Sequence, residues 1–205
     1  YIFKEYVESR HNQRMDQLVE DEFYAPLGAY HLGYLPLQEV DINLVAPSEI
    51  DDYYRNSEVQ GFVHDMGAAM QNGVGGHAGL FSNANDVAKM MQMFMQGGSY
   101  GGRSFFSPIT VSHFNNRYYK SENNRRGIGF DKQQFEDPGP TCLCASDHSF
   151  GHSGFTGTFA WADPASELVY VFLSNRTYPT MENTKMIDTN LRSEIQRVIY
   201  KALIQ

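Results

Sequence analysis

The chain has 205 residues, 41% of them hydrophobic, and a formal net charge of -8. At that length roughly 70% of the unfolded surface can be buried, enough for one sizeable core. The acidic balance, with no basic cluster beyond Arg125-Arg126, argues against nucleic acid or an anionic membrane as partner, and no stretch approaches the apolar length of a membrane span.

The first residues, "YIFKEYVESR", lack both an initiator Met and a signal-peptide layout. They read as the middle of an amphipathic helix, so the expectation is a chain cut from something larger. Ile2, Phe3, Tyr6 and Val7 keep helical spacing, as do Met15, Leu18, Val19 and Phe23. A helix or helix pair is therefore predicted to about Tyr24, stopped by "APLGA". Residues 28–75 hold no sustained period and contain Pro36 and Pro47, which predicts an extended surface segment with short helical turns.

"LFSNANDVAKMMQMFMQGG" is the clearest helix. Ser82 is the expected cap, Asp86 suits the first-turn dipole, Val87, Met90, Met91 and Phe94 share one face, and Gly97-Gly98 ends it. Its methionines read as core rather than as a cofactor box. "SPITVSHFNN" repeats the pattern, with Ser107 as cap and Pro108 at the first helical position.

After about residue 140 the period changes from 3.6 to 2. Residues 150–161 and 167–175 are predicted to form adjacent antiparallel strands joined by a turn at Asp163-Pro164. A helix from about Asn183 to Ile204 follows, its apolar stripe of Ile187, Leu191, Ile195, Val198, Ile199, Ala202 and Leu203 meant for a sheet face. The fold class is thus α/β (α+β), an antiparallel sheet packed by helices, with 1–140 mainly helical and 141–205 supplying strands and a closing helix. Cys142 and Cys144 form a C-x-C pair that suits neither an ordinary intra-strand disulfide nor a four-ligand zinc site, so they read as packing residues.

Few residues carry chemistry, and nothing in the sequence calls for a metal or a cofactor. Asp65 and His77 read as loop-fixing hydrogen-bond partners, beside His64. His11, His31, His113 and His148 read as incidental. Arg125 and Arg126 could hold a substrate carboxylate, but solvation is the favoured reading. The remaining candidate is His152-Ser153-Gly154, which by itself is a weak signal.

In context it is not weak. "GHAGLFSNANDVAKMMQMFMQGG" and "FGHSGFTGTFAWADPASELVYVFLSNR", in that order, resemble the serine β-lactamase-related superfamily of class C β-lactamases, penicillin-binding proteins, D-amino-acid-specific peptidases and esterases, over roughly residues 1–204. "YAPLGA", "GFVHDMGAAM" and "NRRGIGFDK" also resemble modules carried behind family 3 glycoside hydrolases in bacterial envelope proteins. The resemblance implies the C-terminal portion of a β-lactamase/transpeptidase-like domain, without its N-terminal strands and nucleophile helix.

Such enzymes need a Ser-x-x-Lys nucleophile, a second Tyr- or Ser-based motif, and a third motif, Lys-Thr-Gly or His-x-Gly, on a strand beside the substrate. By resemblance His152-Ser153-Gly154 is the third motif and the Phe155 backbone N–H is an oxyanion donor, with Ser153, Gly154 and Thr156 lining substrate. No serine in the chain is followed three residues later by lysine. Tyr54-Arg55-Asn56 and Ser121-Glu122-Asn123 match the second motif only as strings.

The resemblance therefore implies part of an extracytoplasmic serine hydrolase on cell-wall-type, D-amino-acid or ester substrates, inactive without an upstream segment of the same protein. The alternative is a non-catalytic wall-peptide-binding or structural module attached to a glycoside hydrolase. An uncovered sheet edge would favour a homodimer or strand swap.

Overall fold

The computed structural model describes residues 1–203 and divides the chain into two units, Tyr1–Asp86 with Ser174–Asn183, and Val87–Leu173 with Thr184–Gln205. In the first unit, α1 (Ile2–His11) stops at left-handed Asn12 and buries none of its residues. Then α2 (Met15–Val19) runs through a π-turn at Glu20–Tyr24 into α3 (Ala25–Leu27). Pro26 has no N–H to give the preceding turn, which accommodates the wider winding, and Gly28 at φ 72° ends the helix as "APLGA" foretold.

Residues 28–75 do contain short helical turns, but they also hold a hairpin that the sequence reading did not anticipate. Strand β1 (Gly33–Tyr34) precedes β2 (Pro47–Asp51), which pairs antiparallel with β3 (Ser57–Gln60). The inward positions of β2 are Glu49 and Asp51, so no apolar alternation advertises it. Glu49 accepts from the Tyr53 hydroxyl, at 2.7 Å, and from the Met181 N–H, and it pairs with His64 at 2.9 Å. Residues 174–183 lace along the hairpin through Asn175 to Pro47, Thr177 to Ser48, and the Ile50 N–H to Pro179. Asp65 caps α4 (Met66–Ala69) through the Ala68 N–H at 2.7 Å and holds His77 at 2.8 Å, the loop-fixing pair expected. β4 (Leu80–Phe81) pairs with β1.

The helix α5 (Ala84–Met95) is capped by Asn83 rather than Ser82. The Asn83 side chain accepts the Asp86 N–H at 2.9 Å, while the Ser82 hydroxyl turns to the Asn83 carbonyl. Asn83, three before Asp86, is within the reach of an N-cap to that N–H, and Ser82, four before, is not.

In the second unit β5 (Ser99–Tyr100) and β6 (Arg103–Ser104) form a small hairpin, and α6 (Pro108–Asn115) has the predicted Ser107 cap with Pro108 first. Then β7 (Asp131–Lys132), β8 (Phe150–Ser153), β9 (Phe159–Asp163) and β10 (Leu168–Phe172) build one antiparallel sheet in the order β10-β9-β8-β7. The strand expected over 150–161 is thus two strands, folded between Gly154 and Thr158. The Gly154 N–H donates to the Thr158 carbonyl at 2.8 Å, and the Gly157 N–H donates to the Gly154 carbonyl at 3.0 Å. Gly157 sits at φ 104°, a backbone state that glycine alone adopts without strain. The turn at Asp163-Pro164 is where the sequence put it.

Successive residues of β9 serve opposite layers. Phe150 and Ala162 pack with Met91, Val87, Phe94 and Ala160 on the α5 side, whereas Phe159, Trp161 and Tyr170 meet Ile195 and Ile199 of α8 (Leu191–Leu203), which follows α7 (Lys185–Asp188). The buried face of α8 is Ser193, Gln196 and Tyr200 with Ile195 and Ile199 beside it. Ile187, Leu191, Val198 and Leu203 are exposed, so the apolar stripe drawn from sequence is corrected. Polar partners decide this: Gln196 accepts the Cys142 N–H at 3.1 Å, and the Tyr200 hydroxyl donates to Asp163. Ile204, the expected end of the helix, lies outside the described residues.

The cysteines are also corrected. Cys142 and Cys144 are joined in a disulfide, because left-handed Leu143, at φ 58°, folds a loop back and brings the two Cα atoms to 5.2 Å.

Asp163 ties this unit together, taking hydrogen bonds from the Ser146 N–H and hydroxyl, the Ala165 N–H and Tyr200. Burial pushes its carboxyl up, but those bonds outweigh burial and hold it below the ordinary value. A depressed carboxylate stabilises the fold above its unfolded pKa and loses that contribution as pH falls through the folded value. Asp163→Asn is therefore expected to lower stability by about 1–3 kcal/mol at pH 7 and to flatten the acid loss of stability below about pH 5, read by urea unfolding across pH 3–7.

Candidate active site

The end of β8 is placed by the core beneath it. Gly151 leaves room for the Ala160 carbonyl and the Trp161 ring, either of which an added Cβ would strike. Beyond Gly151 the strand presents exposed His152 and half-buried Ser153, then the turn carrying Gly154, Phe155 and Thr156. A Cβ at Gly154 would run into the Thr158 hydroxyl, so this glycine is needed by the turn whatever its part in binding. Phe155 is at a central position of the turn and 61% exposed.

The β7–β8 register brings a charged cluster to the same end, since Asp131 lies opposite Gly151 and Lys132 opposite Phe150. Asp131 is buried and takes two bonds from Arg125, from Nε at 2.7 Å and Nη2 at 2.9 Å, as well as the Lys132 N–H. Arg126 comes to 3.7 Å from the same carboxylate. Its backbone is set by an Asn124 side chain that accepts the Arg126 N–H, and by Gly127, where a Cβ would meet the Phe114 carbonyl. From there Arg126 Nη1 reaches His152 Nε2 at 3.0 Å, while His152 Nδ1 lies 2.8 Å from the Ser153 carbonyl.

A guanidinium only donates and a carbonyl only accepts, so the two contacts suit an imidazole that accepts at Nε2 and donates from Nδ1. The solvated reading is corrected for Arg125, which is clamped on a buried carboxylate, whereas Arg126 stays about half exposed beside the imidazole. The "NRRGIGFDK" stretch held that signal in the spacing of Arg125, Arg126 and Asp131, but only the pairing of β7 with β8 brings His152 to it.

Other polar groups lie elsewhere. Lys132 Nζ donates to Asn115 at 2.6 Å and to the His148 carbonyl, and burial, with Arg117 nearby, pushes its pKa down to about 8. Tyr54, Arg55 and Asn56 form the β2–β3 connection, where Arg55 and the Tyr54 N–H bind Asp51. Ser121-Glu122-Asn123 is an exposed 3₁₀ turn closed by left-handed Asn123. Among the described residues no group of three or more His, Cys, Asp or Glu side chains could hold a metal ion, and no helix is long and apolar enough to cross a membrane.

A family model described as Beta-lactamase matches residues 1–192. A protein of Salmonella agona named "Putative D-alanyl-D-alanine carboxypeptidase" is 33% identical over 193 residues, 88% of this chain and 44% of its own length. One of the same name from Escherichia coli O157:H7 is 35% identical over 185 residues, 84% of this chain and 42% of its own. The chain thus spans less than half the length of these curated relatives. Among solved structures, a β-lactamase from Mycobacterium bovis superposes with a TM-score of 0.65 at 17% identity, covering 98% of this chain and 60% of that one. A penicillin-binding protein homologue from Caulobacter crescentus superposes with a TM-score of 0.55 at 18% identity, covering 84% and 49%. The mixed fold of antiparallel sheet and helices is the β-lactamase/transpeptidase-like fold.

Asp131 holds the charged half of the site, and removing its charge leaves Arg125 without its clamp. Asp131→Asn is expected to cost about 2 kcal/mol in urea unfolding and to broaden or shift the His152 ring resonances in proton NMR. An unchanged His152 spectrum would contradict this linkage.

Proposed function

Because the chain belongs to the β-lactamase family, we propose that it supplies the substrate-facing strand of a serine acyl hydrolase acting on peptides or esters of D-amino acids in the cell envelope. The observation that carries this reading is His152-Ser153-Gly154 at the exposed end of β8, followed at once by the Gly154–Thr158 turn. An extended strand end offers backbone groups to a peptide, and glycine keeps its surface low enough for close approach. In this reading Ser153, Gly154 and Thr156 line the acyl donor, and the Phe155 N–H points toward the oxygen that gains charge in the tetrahedral intermediate. The names of the carboxypeptidase relatives favour D-alanine-terminated peptides and an extracytoplasmic setting.

The chemical step needs parts that residues 1–205 do not contain. No Ser-x-x-Lys occurs in the sequence, and an oxyanion hole needs a second donor, worth roughly 3 kcal/mol of transition-state stabilisation by itself. The same fact favours a second reading, a wall-peptide-binding module without chemistry. Both readings expect the 205-residue chain to show no turnover of activated esters, β-lactams or D-alanyl peptides above a His152→Ala control. They also expect it to bind an N-acyl-D-alanyl-D-alanine peptide, measured by calorimetry, with affinity that falls several-fold on Gly154→Val. Stoichiometric covalent labelling by a fluorescent penicillin would overturn both, since one of the chain's own serines would then be the nucleophile.

A further inference from the structure

We propose that Arg192, in the first turn of α8, is a positioning residue of the candidate acyl site: its guanidinium anchors the Gly154–Thr158 turn, and with it the Phe155 N–H, to the helix layer. The inference rests on the acyl-hydrolase reading for what the turn is used for, whereas the anchoring stands on geometry alone.

The turn closes on the Thr158 carbonyl. That oxygen has two lone pairs, and it accepts the Gly154 N–H at 2.8 Å from the end of β8 and Arg192 Nη1 at 3.2 Å from α8. Phe155 and Thr156 are carried between these fixed points, and the Gly157 N–H returns to the Gly154 carbonyl at 3.0 Å. Gly154 and Phe155 are exposed, so apolar packing does little to hold them, and segments with few buried contacts open at low free-energy cost. An oxyanion donor acts only when it is in place before the reaction, within a tolerance of about 0.5 Å. A bond from the helix layer to the closing carbonyl supplies that restraint.

Arg192 is suited to the task because the packed layer between β9 and α8 places it. Its own carbonyl accepts the Tyr170 hydroxyl at 3.3 Å, and its guanidinium lies 5.8 Å from the centroid of the Phe159 ring. Phe159 directly follows Thr158 and is buried with Trp161 and Tyr170 against Ile195 and Ile199. The half-buried guanidinium is thus delivered from a rigid layer to an exposed turn. A charged donor makes a bond roughly twice as strong as a neutral one, and the planar fork of arginine loses little freedom in making it.

The test uses the 205-residue chain as wild type, Arg192→Met, Arg192→Lys and Ile199→Ala, the last a truncation on the same helix against the same aromatic residues. Amide hydrogen exchange followed by NMR reads the turn without any ligand. Arg192→Met is expected to speed exchange of the Gly154 amide about tenfold relative to the β9 amides, and Arg192→Lys to recover most of that loss. Ile199→Ala is expected to lower stability to urea and leave the ratio unchanged. Calorimetry with N-acetyl-D-alanyl-D-alanine then reads the site, with binding expected to weaken several-fold in Arg192→Met, to return with lysine, and to hold in Ile199→Ala. An unchanged Gly154 ratio in Arg192→Met, or an equal rise in Ile199→Ala, overturns the anchoring. Faster exchange with unaltered peptide binding overturns the positioning role while the strand reading stands. No peptide binding by wild type overturns the strand reading and the positioning role together, and exchange alone then decides whether Arg192 anchors the turn.

Discussion

The alternation of β9 is the constraint on which the sheet-bearing unit depends. Phe159 and Trp161, stacked with centroids 5.4 Å apart, fill the layer under α8, and the two alanines between and after them let α5 approach the other face. A strand so asymmetric limits its neighbours. Next to Trp161 there is no room for a Cβ on β8, so residue 151 is glycine for the core's sake. The residue that follows, His152, is delivered to the strand end by that packing.

Electrostatics then sets what the strand end can do. Burying Asp131 without a partner would carry a heavy desolvation cost, and the Arg125 clamp offsets it. The clamp consumes Arg125, so a neighbouring arginine drawn to the same carboxylate cannot be satisfied there and turns outward to His152. Lys132, the next residue along, is tied to Asn115 and the His148 carbonyl and adds nothing to this edge.

Where burial was apolar and periodic, as in α5, the sequence was legible, and cap and turn residues placed α6 by Ser107-Pro108 and the hairpin turn by Asp163-Pro164. Where burial was polar it was not. The β2–β3 hairpin hides behind Glu49 and Asp51, and the buried face of α8 follows Ser193, Gln196 and Tyr200 in place of the aliphatic stripe. The site behaved likewise. The contact of Arg126 with His152 depends on a strand register that no local pattern encodes.

The tautomer of His152 bears on the division of labour in any acyl transfer at this edge. An imidazole acts as a general base through an unprotonated nitrogen with a free lone pair. Here the only such nitrogen, Nε2, is engaged by Arg126, and Nδ1 already holds its proton toward the Ser153 carbonyl. While those contacts persist, Nε2 is not open to take a proton from water.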